Sequence, residues 1–159
     1  MPHTHSTLRM LALVTIISAC TSGPAPWDVL VPTDWLATRV PSGAKSAWIA
    51  PDGTATAAIS ELSSDLDADD FLTAWQNRTP HLSVIKAVED RGIQLARRFR
   101  ASSVATVHLS VNRNGKPASL RAFAFQQGNR VVLLEITATQ GPVRSFQDGS
   151  RIAESFRFR

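Results

Sequence analysis

The segment Val131 to Thr139 (VVLLEITAT) restricts the fold of this chain more than any other. Val132, Leu134, Ile136 and Ala138 recur at every second residue, the side-chain period of a β-strand, and so share one face. Val131 and Leu133 add apolar weight to the other face at the strand's start. A strand that is apolar on both faces must be covered on both, so helices or loops are expected on each side of its sheet.

The flanking residues supply partners. From Ala105 to Asn112 the alternation is strict, with Ala105, Val107, Leu109 and Val111 on one face and Thr106, His108, Ser110 and Asn112 on the other. Asn114-Gly115 turns the chain, Ala118 to Gln126 returns, and Gly128-Asn129 turns it again into Val131. Upstream, Ser46 to Ala50 and Thr54 to Leu62 flank Pro51-Asp52-Gly53, a turn whose proline presets φ and whose glycine accepts positive φ. Trp27 to Val31 reads as a short extended run stopped by Pro32, and Val84 to Val88 and Ile93 to Phe99 read as two further strands around Asp90-Arg91-Gly92.

Two segments read as helices. Phe71, Leu72, Ala74 and Trp75 fall at helical spacing behind an acidic first turn that Asp67 can cap, and Arg78 complements the dipole before Pro80. Pro142 opens the second, with Val143, Phe146 and Ala153 inward, a weak point at Gly149, and an extended close at Ser155 to Phe158. The expectation is an α+β domain, a mainly antiparallel sheet flanked by helices. It occupies residues 27–159, with no repeat or linker dividing it. Hydrophobic residues at 43% and charged residues at 19% give it a globular balance, which argues against wholesale disorder.

The start of the chain is of another kind. Met10 to Ala19 (MLALVTIISA) is a ten-residue apolar run behind a polar segment carrying Arg9, the length of a signal-peptide core and too short to span a bilayer. It ends in Ile17-Ser18-Ala19-Cys20, and Cys20 is the only cysteine of the chain, which excludes an internal disulfide framework. The ISAC segment resembles the lipobox of bacterial lipoproteins. The resemblance implies that residues 1–19 are a signal peptide, that Cys20 is acylated, and that residues 20–26 (CTSGPAP) tether the fold to the membrane. Thr21, in place of the aspartate that favours inner-membrane retention in enteric-type systems, implies the outer membrane, facing the periplasm.

The opening Val31-Pro32-Thr33-Asp34-Trp35, the hairpin with its PDG turn, the acidic-capped helix, the meander and the closing Ile152-Ala153-Glu154-Ser155-Phe156-Arg157-Phe158 together resemble the PsbP/DcrB-type α/β/α sandwich. That family is mostly non-catalytic and has no common active site, so the resemblance implies a fold and no site residues.

No GxSxG, HExxH, CxxC, GxGxxG or P-loop pattern occurs, and no cofactor is expected. His81 and His108 read as a loop histidine and a solvated strand histidine rather than zinc ligands. Asp65-Leu66-Asp67-Ala68-Asp69 imitates an EF-hand opening, but Asp70 and Gln76 stand where glycine and glutamate are needed. Trp27, Trp35, Trp48 and Trp75 read as packing residues.

Charge is distributed unevenly. Residues 20–90 hold 4 Lys/Arg and 10 Asp/Glu, a net of −6, and residues 91–159 hold 12 Lys/Arg and 3 Asp/Glu, a net of +9. Either the halves neutralise one another, or the second half offers a basic surface to an anionic partner, centred on Arg97, Arg98 and Arg100. Export would separate the chain from nucleic acid, which is therefore not an expected partner. The expected function is a non-enzymatic envelope lipoprotein that binds another protein as scaffold or assembly factor. The alternative is a carrier of a small or lipidic ligand, which an apolar cavity would favour.

Overall fold

The computed structural model describes residues 25–79, 82–113, 115–139 and 143–159. In chain order the elements are β1 (Trp27–Asp28), β2 (Leu36–Ala37), β3 (Ser46–Ile49), β4 (Ala55–Ser63), α1 (Ala68–Arg78), β5 (Ser83–Asp90), α2 (Gly92–Arg98), β6 (Ser103–Arg113), β7 (Lys116–Gln127), β8 (Arg130–Thr139), α3 (Val143–Ser155) and β9 (Arg157–Phe158). Seven strands form one antiparallel sheet in the order β2-β3-β4-β8-β7-β6-β5. This is the α+β fold the sequence implies.

The two-faced strand β8 lies in the middle of the sheet, between β4 and β7. Its even-numbered residues Val132, Leu134 and Ile136 join a core with Phe99, Val104, Phe125 and Phe156, on the face that α2 and α3 cover. Its odd-numbered Val131 and Leu133 join a second core with Val107, Leu109, Ala122 and Ala124, on the face that α1 covers through Ala68 and Leu72. Period-two alternation thus sends neighbouring residues into different cores, and different helices close the two cores.

Gly149 explains how closely α3 can approach. A Cβ at this position would stand 2.6 Å from Ile136 Cγ2 and 3.6 Å from Trp35 Cη2. The glycine that weakens α3 as an isolated helix is therefore what lets it seat on β8. The chain closes through β9, which pairs with β1 in a separate two-stranded sheet, Trp27 opposite Phe158. Arg159 Nη2 meets Asp28 Oδ1 at 2.6 Å across that pair, and the hydrogen bond from Arg159 holds the Asp28 carboxyl below its ordinary pKa.

One expected strand is a helix. Residues 93–99 do not extend; α2 occupies 93–98 with Phe99 as its C-cap, and Leu95, Ala96 and Phe99 turn together toward the core. The helix ends in a two-bond wrap, Arg100 N–H to Arg97 O at 3.0 Å and Ala101 N–H to Ala96 O at 2.9 Å. The residue in the left-handed conformation that this wrap requires is Arg100, at φ 55°. The single face that a strand would give Gln94, Ala96, Arg98 and Arg100 is therefore not formed. A smaller correction concerns α1: Asp67 is its N-cap residue, but its side chain makes no capping bond. The first helical N–H, of Ala68, is instead taken by Ser103 Oγ at 2.9 Å.

Candidate functional site

The alternation of β6 that buries Val107 and Leu109 places Thr106 and His108 on the opposite face, the one that carries α2 and α3. The β6–β7 register sets His108 opposite Arg121 and Thr106 opposite Phe123, and the β5–β6 register sets Lys86 opposite His108. Directly opposed partners share a face, so Lys86, His108 and Arg121 form one row across three strands. Short α2 ends before it covers this row, and α3 sits farther along the sheet, on β8 and β4. The gap between the helices is a recess of about 470 Å³. Its sheet floor is Lys86, Thr106, His108, Arg121 and Phe123, and Leu95, Arg98 and Phe99 come from the α2 side. Ser150, Ala153 and Glu154 come from α3.

Arg121 dominates the polar end. Its Nη1 donates to Ser150 Oγ at 3.3 Å, and its Cζ lies 4.7 Å from the centroid of the Phe146 ring. No carboxylate among the described residues pairs with it. Half-buried, with the charge of Arg91 nearby, its guanidinium is held below its ordinary pKa, mainly by desolvation. His108 stacks on the same Phe146 ring, centroids 6.2 Å apart. Its Nε2 is buried without a hydrogen-bond partner. Burial first, and Arg121 second, push its pKa down, which keeps the ring neutral.

The rim is also basic. Lys86 and Arg91 share Glu89, at 2.6 and 3.4 Å, whereas Arg98 makes no ion pair among the described residues. Among the described residues, four cationic side chains and one carboxylate, Glu154, line the recess. On the opposite face lies a second recess of about 400 Å³, lined by Thr56, Ala58, Trp75, Leu120 and Thr137. Among the described residues its lining holds one cation, Arg39, and one carboxylate, Glu135.

The structure divides the arginine cluster expected from sequence. Arg98 lines the recess, while Arg97 and Arg100 do not. Arg100 stands near Asp28 and Arg157 instead. The acidic segment Asp65, Asp67, Asp69 and Asp70 forms no ion pair with Arg98 or Arg100 among the described residues. Cys20 and His81 lie outside the described residues. Among those residues no group of three or more His, Cys, Asp or Glu could hold a metal ion, and no helix is long and apolar enough to cross a membrane. Sequence reasoning missed Arg121 and passed over His108 as a solvated strand residue.

No family model matches the chain, and no curated protein matches it in sequence. Among solved structures it is similar to LpqN, involved in cell envelope biogenesis of Mycobacterium tuberculosis, with a TM-score of 0.57 and 19% identity over 82% of each chain. It is also similar to a protein of Bacteroides thetaiotaomicron VPI-5482, with a TM-score of 0.54 and 14% identity over 84% of this chain and 45% of that one. At such identities the likeness is one of fold.

Proposed function

We propose that this chain is a lipid-anchored protein of a bacterial cell envelope that binds a small ligand between α2, α3 and the sheet and catalyses no reaction. The observation that carries the reading is the half-buried Arg121, which pairs with no carboxylate among the described residues where it faces a recess of ligand size. The ISAC segment at Cys20 supports the anchor, and the fold shared with a cell-envelope biogenesis protein agrees with that compartment. Of the two expectations, scaffold and carrier, a recess of ligand size supports the carrier, with a basic lining in place of the apolar one expected. Native mass spectrometry of the protein extracted from its membranes tests this: a one-to-one adduct of small-molecule mass is expected.

The scaffold reading is favoured by a different feature, the edge strand β5. It ends the sheet, its register with β6 slips twice, and it exposes Val84 and Ile85. A partner adding a strand there would protect the β5 amides from hydrogen exchange and leave the recess unchanged.

A further inference from the structure

Resting on the recess as a binding site, we infer that its ligand is an anionic amphiphile, with one carboxylate or phosphate group held at Arg121 and an apolar chain lying toward α2. Three features of the lining lead there. Among the described residues the cations outnumber the carboxylates, and the most enclosed of them, Arg121, pairs with no carboxylate. A guanidinium removed from water gains most from a planar or tetrahedral oxyanion that it can grip with two N–H groups. The Ser150 hydroxyl and the Phe146 ring already fix its position, so little side-chain freedom remains to be lost on binding.

The recess is also two-ended. Moving along β6 from His108 toward Val104, the floor changes from His108 and Arg121 to Thr106 and Phe123, and then to Val104 beneath Leu95 and Phe99. That is four residues of strand, about 13 Å. A simple inorganic anion would use only the first third of this length, and a neutral chain would leave Arg121 unanswered. Arg98 at the rim attracts the approaching anion.

The test uses the full chain in nanodiscs of neutral phosphatidylcholine, with octanoate, octyl phosphate, octanol and inorganic phosphate as calorimetric probes and empty nanodiscs subtracted. Octanoate or octyl phosphate should bind, and whichever binds tighter identifies a carboxylate or a phosphate head. Arg121→Gln should weaken that binding at least tenfold, Arg98→Gln should weaken it less, and rising salt should weaken it in the wild type. If Arg121→Gln does not fold, the salt dependence and Arg98→Gln carry the test. Octanol binding as tightly as octanoate, or an Arg121→Gln protein binding like wild type, would overturn the anionic head. Inorganic phosphate binding as tightly as octyl phosphate would overturn the chain. In each case a probe still displaced by Thr106→Phe, which fills the floor, leaves the recess itself standing as the binding site. Binding insensitive to Thr106→Phe would remove both.

Discussion

His108 and Arg121 are directly opposed partners on β6 and β7, and both rest on the ring of Phe146. The pairing places a titratable imidazole beside a fixed positive charge in a partly desolvated position. Folding therefore disfavours the imidazolium, and the site is basic without His108 contributing charge.

The first prediction follows from that depression. As pH falls through about 6.5, the unfolded chain takes up a proton at this histidine before the folded chain does. The unfolded state then binds more protons, so stability declines with falling pH, by at most about 1.4 kcal/mol per pH unit from this group. Above about pH 6.5 both states are neutral and the contribution vanishes. Denaturant midpoints of wild type and His108→Gln, compared from pH 7.5 to 5, should diverge in slope only in the acid half. Parallel curves would mean that His108 titrates as it does in the unfolded chain.

Gly149 sets the second. Helix propensity alone would make Gly149→Ala stabilising by about 1 kcal/mol. The new Cβ meets Ile136 Cγ2, however, so we expect a net loss of about 1–3 kcal/mol. In an Ile136→Ala background the same substitution should cost far less, because the opposing methyl is gone. Equal costs in the two backgrounds would place the effect elsewhere.

Phe156 sets the third. It is fully buried, its ring centroid 4.0 Å from that of Phe125 and 5.0 Å from that of Phe158. Phe156→Ala should cost about 3–5 kcal/mol in equilibrium unfolding. A cost below about 1 kcal/mol would mean that the C-terminal segment does not seal this core.

The fourth concerns the anchor. Cys20→Ala should abolish acyl labelling and leave the protein unprocessed or released from the membrane. Unchanged partitioning into the detergent phase would contradict lipidation at this residue.

What the sequence makes legible is decided by residue period and turn chemistry. The β6–β7 hairpin could be read because alternation marks both strands and Asn114-Gly115 marks the turn. A two-residue turn there fixes Arg113 opposite Lys116, and hence His108 opposite Arg121, so even the central pair of the site was implicit. The lack of a carboxylate for Arg121 was not, since it depends on which helices cross above. Helix α2 was hidden for local reasons. It has seven residues, Arg91 at its N-cap makes no side-chain capping bond, and Arg100 occupies the left-handed position where glycine would have announced a helix end. The spacing of Leu95 and Ala96 to Phe99 was the remaining helical signal. In so short a segment it competes with a strand reading of the same residues.

The most direct test of a ligand-binding recess is to fill it. Thr106 lies on its floor opposite Phe123, and a phenylalanine there occupies volume without changing charge. Wild type and Thr106→Phe, extracted from the same membranes and matched in thermal stability, would be compared by native mass spectrometry. A small-molecule adduct held by wild type and missing from Thr106→Phe is the predicted result. The same adduct in both, or in neither, would contradict it.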